Sequence, residues 1–160
     1  MTIKAGDTMP EGRFTIMKAD GPGSVSSKEF FEGKKVVLFS VPGAFTPTCS
    51  RQHLPGFVEK AAEFQKKGVD TIACMAVNDV FVMDAWGKSA HADGKVTMLA
   101  DGNGDYTRAL GLELDATGFG MGKRGQRFAL VVDNGKVTHA FIEEAGKFKV
   151  SSAEHVLASL

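Results

Sequence analysis

The chain has 160 residues, enough for one domain with a sizeable core and too few for two comfortable ones. A composition that is 43% hydrophobic and 24% charged describes a soluble globular protein and excludes a disordered or fibrous chain. Nineteen Lys plus Arg balance nineteen Asp plus Glu, so no positive field invites nucleic acid, and a small-molecule or protein partner is expected instead.

The first thirty residues carry the weakest pattern, read as a hairpin around Phe14 and Met17 and a short helix over 27–31. MTIKAGDTMPEGRF has no apolar signal segment and no hydrophobic run approaches a membrane span, so neither an address nor a membrane is expected. KKVVLFSV at 34–41, bounded by Gly33 and Pro42, has the short, apolar, β-rich character of a buried strand. Thr46 then offers an N-cap oxygen, Pro47 suits the first helical position, and Leu54, Phe57, Val58, Ala61 and Phe64 recur at helical spacing up to Gly68. Pro55 should kink or restart that helix near its second turn. VDTIACMAV at 69–77 is another buried strand, followed by an Asn78 cap and a helix through Trp86 towards Gly94.

VTMLA at 96–100 makes a third strand, DGNGD at 101–105 a turn, and YTRALGLE a short helix. Strands at 128–132 and 137–142 flank Asp133-Asn134-Gly135-Lys136, whose central Asn-Gly is the strongest hairpin signal in the chain. Ser151 and Glu154 form a capping-box pattern for a final helix ending at Leu160. This order predicts an α/β protein with a mixed central β-sheet and helices on both faces, the outline of a thioredoxin-like fold. No composition shift, linker or repeat divides it, so residues 1–160 are expected to form a single domain.

Two cysteines cannot build a disulfide scaffold, and a chain of this size does not require one. A reducing, cytoplasmic setting is therefore expected, in which an unusual cysteine is chemical. With Thr46 as the cap, Cys49 stands at the third helical position, beside unpaired backbone N–H groups and the positive end of the helix dipole. Such a place favours thiolate over thiol and turns a sluggish sulfur into a nucleophile at neutral pH. The plainer reading, a small buried hydrophobe, fits Cys74 inside TIACMAV better.

Pro42, Thr46 and Cys49 match the PxxxTxxC motif of peroxiredoxins. Around them VPGAFTPTCSRQHLPGF resembles the type II or peroxiredoxin-5 branch, and the resemblance continues through ACMAVNDVFVMDAWG at 73–87 and KRGQRFALVVDNGKV at 123–137. The three blocks agree in order, spacing and predicted element, and span nearly the whole chain. The resemblance implies that Cys49 is the peroxidatic thiolate, attacking hydrogen peroxide or an alkyl hydroperoxide in line with the O–O bond and becoming a sulfenic acid. It implies that the Thr46 hydroxyl bonds the sulfur and the incoming peroxide, that Arg127 stabilises the thiolate and holds the peroxide, and that Pro42 shields the sulfur from water. Arg124 is the nearby rival for the arginine's place.

His53 lies one turn beyond Cys49, too far for an obvious general base; it either tunes the pocket electrostatically or is a surface or packing imidazole. Phe45, Phe119 and Leu114, with Thr48 beside them, are candidates for an apolar substrate rim and equally for ordinary core. His91, His139 and His155 show no ligand spacing with either cysteine, so no metal site and no cofactor are expected. GMGKRG at 120–125 satisfies GxGxxG but precedes a strand instead of following one, and DGNGDY lacks both the turn glycine and the twelfth-position acid of an EF-hand. A disulfide oxidoreductase needs CxxC, whereas this chain has TPTC.

The resolving cysteine of the animal form has no counterpart in AGKFKVSSAEHVLASL. A one-cysteine cycle is therefore expected, and the resemblance to the bacterial and plant members of the branch implies that glutathione, with or without glutaredoxin, recharges it. The alternatives are a Cys49–Cys74 disulfide reduced by thioredoxin and, from another class, a noncatalytic binding or chaperone-like module. The branch also implies a homodimer formed through segments 45–48 and 79–83.

Overall fold

The computed structural model describes residues 1–160. Its main sheet has seven strands: β1 (Arg13–Lys18), β2 (Gly21–Ser26), β3 (Lys35–Ser40), β4 (Thr71–Ala76), β5 (Thr97–Ala100), β8 (Phe128–Asp133) and β9 (Lys136–Ile142). They lie in the order β2-β1-β5-β4-β3-β8-β9. β3, β4 and β5 run parallel, and β1, β8 and β9 close the sheet with antiparallel pairings, giving the expected mixed sheet.

Strand alternation divides the core in two. Val37, Phe39 and Val41 point to one face, where they meet Leu54, Phe57, Phe64, Met83, Trp86 and Val156 from α2 (Leu54–Glu59), α3 (Ala61–Lys66), α4 (Val80–Ser89) and α6 (Ala153–Ala158). Val36 and Leu38 point to the other, against Phe30, Phe31 and Tyr106 from α1 (Ser27–Phe31) and α5 (Asp105–Ala109). With both faces covered, β3 and β4 can be continuously apolar, which is why they are so legible in the sequence.

Three helix boundaries differ from the sequence reading. The α4 cap is Asp79, whose carboxylate accepts from the Val82 N–H, because Asn78 is turned towards Ala44. Ser152, not Ser151, caps α6. The helix expected over 106–113 stops at Ala109: Gly111 takes a left-handed φ of 74° and Leu112 N–H returns to the Thr107 carbonyl, closing the end. The chain then forms a small two-stranded sheet, β6 (Glu113–Asp115) with β7 (Lys123–Gly125), joined through a 3-10 turn at Thr117–Phe119. These three-residue strands are too short to leave a periodic signal.

The hairpin stands where Asn-Gly puts it, with Asn134 and Gly135 at φ 49° and 81° between paired Asp133 and Lys136.

The Phe57 ring stacks on Phe39 at 4.2 Å and on Phe64 at 5.5 Å, tying α2 and α3 to the central strand. Phe57→Ala should therefore destabilise the protein by about 3–5 kcal/mol, measured by urea unfolding.

Candidate active site

β3 ends at Ser40, and the chain leaves the sheet between a parallel neighbour, β4, and an antiparallel one, β8. The 41–46 loop follows, with Phe45 in a left-handed conformation at φ 64° and the Ala44 N–H held by the Asn78 side-chain oxygen at 2.9 Å. The Thr46 carbonyl accepts the first helical bond, from Ser50 N–H, so Cys49 does stand at the third helical position. The Thr46 hydroxyl, however, is not an N-cap acceptor; it donates to the Gly43 carbonyl at 2.7 Å. Beside the cysteine, the Ser50 hydroxyl accepts from the indole N–H of Trp86 at 3.0 Å.

The helix is irregular near its second turn, where Pro55 is expected to disturb it. Cys49–His53 is a π turn, with Leu54 N–H reaching the Cys49 carbonyl, and a second break falls at Lys60 between α2 and α3. Pro55 has no N–H to give the Arg51 carbonyl four residues back, so the disturbance extends into the turn before the proline.

Three side chains converge at this turn. Arg127, immediately before β8, arrives there because Phe128 pairs with Ser40 at the end of β3. Its guanidinium donates from Nη2 to Cys49 Sγ at 3.1 Å and from Nη1 to His53 Nδ1 at 2.9 Å. Arginine only donates, so Nδ1 is the acceptor and the ring proton sits on Nε2, which donates to the Ser151 carbonyl at 2.9 Å. Burial, reinforced by the Arg127 charge, lowers the His53 pKa from 6.5 to about 3, in keeping with a neutral ring. The imidazole packs between Phe39 and Phe148 at 4.8 and 4.9 Å, and the Arg127 guanidinium lies 5.7 Å from the Phe148 ring.

His53 is thus neither a surface imidazole nor a free base: it is fully buried and both ring nitrogens are committed. Arg124 is drawn away from the sulfur, donating to the carbonyls of Met121 and Val77. Cys49 and Cys74 are both fully buried in the same apolar cluster. Cys74 is fixed in β4 between Phe39 and Met98, and burial, followed by the neighbouring Cys49, pushes its thiol pKa well up. Pro42, Thr48 and Leu114 are half-buried, whereas Phe45 and Phe119 are exposed, Phe119 by 86%, so the latter is not part of an enclosed rim.

Sequence reasoning missed Phe148 and the Ser151 carbonyl. Phe148 had a weak signal, as the one aromatic in the charged stretch AGKFKV; a backbone carbonyl has none. The assembled group suits a nucleophile that reacts as an anion. A fixed cation donates to the sulfur, an interaction stronger with thiolate than with thiol, and no free base stands by to remove a proton.

The Redoxin family model matches residues 4–157. Peroxiredoxin-2D of Arabidopsis thaliana is 52% identical over 159 residues, covering 99% of this chain and 98% of its own length. The crystal structure of reduced Prx3 from Vibrio vulnificus in complex with H2O2 is similar at a TM-score of 0.96 and 49% identity, with 99% of each chain covered. Peroxiredoxin 5 from Alvinella pompejana gives 0.87 and 37%, covering 98% of this chain and 97% of that one.

The His53 site has a signature in acid. Between pH 6.5 and about 3 the unfolded chain binds a proton at this residue that the folded chain refuses, so the site contributes stability above 6.5 and loses it as pH falls. The loss approaches about 1.4 kcal/mol per pH unit. His53→Asn keeps an acceptor for Arg127 but does not titrate. Urea unfolding at several pH values should show a shallower acid loss for the variant, and parallel profiles would contradict the neutral ring.

Proposed function

Because the chain belongs to the Redoxin family, as a peroxiredoxin of the type II or peroxiredoxin-5 branch and so a thiol peroxidase, we propose that Cys49 is its peroxidatic nucleophile. The observation that carries this assignment is the 3.1 Å bond from Arg127 Nη2 to a sulfur in the first turn of a helix. The thiolate attacks one oxygen of a hydroperoxide. An S–O bond forms as the O–O bond breaks, the electron pair leaves on the departing oxygen, and that oxygen takes a proton to become water or an alcohol. Cys49 is left as a sulfenic acid.

Charge moves from sulfur to the leaving oxygen during this step. Fixed donors spanning that path stabilise the transition state more than the ground state. The Arg127 fork is such a donor, and His53 fixes its plane. The Thr46 hydroxyl gives its proton to Gly43, which leaves its lone pairs to accept the hydroperoxide O–H. Pro42, at the head of the loop, limits water at the sulfur. Hydrogen peroxide and alkyl hydroperoxides are the proposed substrates; the Vibrio vulnificus relative was solved with the former.

For recharging, a glutathione thiolate attacks the sulfenic sulfur and expels hydroxide, which takes the proton that the thiol released to become water, and glutaredoxin or a second glutathione then removes the bound glutathione as a disulfide. Two observations favour this cycle: residues 145–160 hold no cysteine, and Cys74 is locked in the sheet with a thiol that burial keeps protonated. One observation favours the alternative, a Cys49–Cys74 disulfide reduced by thioredoxin: the two residues share one buried cluster. That bridge would need the 41–53 segment to move, because Cys74 cannot leave β4 without breaking its ladder. Glutathione requires a looser first turn as well, since Cys49 is inaccessible in the closed form. A reducing compartment such as the cytoplasm suits either cycle. Phe45 and Phe81, exposed on segments 45–48 and 79–83, support a homodimer through that face.

Cys49→Ser should abolish peroxide consumption, measured by loss of hydrogen peroxide with excess thiol; undiminished consumption would overturn Cys49 as the nucleophile, and a wild type no faster than the thiol alone would favour the noncatalytic module. Arg127→Lys keeps the charge but not the fork, and should lower kcat/KM for peroxide about a hundredfold. After one equivalent of peroxide without added thiol, intact mass should rise by one oxygen. A loss of two hydrogens would instead establish the internal disulfide.

A further inference from the structure

Glu143 follows the last residue of β9 and is buried, yet it pairs with no lysine or arginine. One of its carboxylate oxygens, Oε2, accepts three hydrogen bonds: from Lys149 N–H at 2.7 Å, Ser151 N–H at 2.8 Å and the Ser151 hydroxyl at 2.7 Å. Burying a carboxylate without a cation is costly unless several donors meet it, and here they are supplied by one short stretch of backbone. What they fix is the orientation of Ser151, whose carbonyl receives the His53 Nε2 proton.

The connections close on themselves. Glu143 carboxylate holds Ser151, the Ser151 carbonyl holds His53, and His53 Nδ1 receives the Arg127 fork. The Glu143 backbone N–H, in turn, donates to the Arg127 carbonyl at 3.1 Å. Strand register makes this closure possible, since Ile142 pairs with Phe128 and brings the end of β9 beside the start of β8. One residue thus fixes the Arg127 main chain directly and its side chain through two intermediaries.

We propose that Glu143 is a positioning residue for the peroxidatic sulfur, its carboxylate holding the 149–151 backbone so that Ser151 fixes the His53 tautomer and His53 aims the Arg127 guanidinium at Cys49. A neutral acceptor in its place holds the three donors more weakly and lets the Ser151 carbonyl drift. Arg127 then spends less time on the sulfur. Glu143 itself touches neither substrate nor sulfur. The inference rests on the preceding reading only in taking Cys49 as the nucleophile; its physical content is the state of the sulfur, which is measurable without peroxide.

The test compares wild type with Glu143→Gln, nearly the same in shape, and Ser151→Ala, which removes one donor and retains the carbonyl. Iodoacetamide alkylation of Cys49 is followed as a function of pH, in parallel with peroxide kcat/KM and urea unfolding. Glu143→Gln should move the alkylation midpoint to higher pH and slow the reaction at neutral pH about fivefold, the difference between a charged and a neutral acceptor; Ser151→Ala should act in the same direction and less. Nitrogen-15 shifts of the His53 ring should lose their single-tautomer pattern in Glu143→Gln. In a His53→Asn background the Glu143→Gln effect on alkylation should vanish. A variant that unfolds more easily but keeps the wild-type alkylation midpoint and His53 spectrum would reduce Glu143 to a structural role and overturn the proposal. An undiminished effect in the His53→Asn background would overturn it as well. If Glu143→Gln does not fold, Ser151→Ala carries both tests. Altered alkylation in a chain that never consumes peroxide would refute the peroxidase reading and leave this one standing.

Discussion

A single planar group faces two partners at once. The Arg127 guanidinium has to present one N–H to Cys49 and another to His53, and because its fork is rigid, moving either partner spoils the bond to the other. Much of the surrounding architecture can be understood as a means of meeting that requirement. The π turn carries Cys49 and His53 together, Phe39 and Phe148 confine the imidazole from both sides, and the Ser151 carbonyl settles which nitrogen holds the proton.

The sheet supplies the frame. β3 ends, β8 begins and β9 ends at the same level, so Ser40, Arg127 and Glu143 are brought together by pairing register alone. A slip of one residue in the β8–β9 hairpin would turn every side chain on the slipped strand to the opposite face. The Asn134-Gly135 turn, far from the sulfur, pairs Val132 with Val137, and a bulge at Thr138 then shifts the register by one residue before Phe128 meets Ile142, so the turn and the bulge together set the site. On the other side, the Asn78 side chain gives up helix capping to hold the loop that precedes Cys49.

The legibility of these features follows their periodicity and length. Buried strands such as β3 and β4 announce themselves as apolar runs, the hairpin through its Asn-Gly pair, and the start of the Cys49 helix through Pro47, although the Thr46 hydroxyl expected to cap it bonds Gly43 instead. β6 and β7 are too short to do so, and Asn78 and Ser151 compete with adjacent Asp79 and Ser152 as caps, a contest decided by tertiary partners. His53 was legible as a neighbour of Cys49 but not as a buried one. The feature that buries it, a pair of aromatics drawn from a strand and from a distant loop, has no local pattern. Glu143 resembled any charged residue at a strand end, because its partners are backbone amides that no side-chain pattern encodes.

The chain contains one tryptophan, and Trp86 is buried with its indole N–H on the hydroxyl of the residue next to Cys49. Any loosening of that first turn must alter the hydrogen bonding or the solvation of the sole indole. Emission from the unlabelled protein thus monitors, in real time, the segment that has to open before a bulky thiol can reach the sulfur. No dye need be attached, and no second fluorophore of its kind confuses the signal.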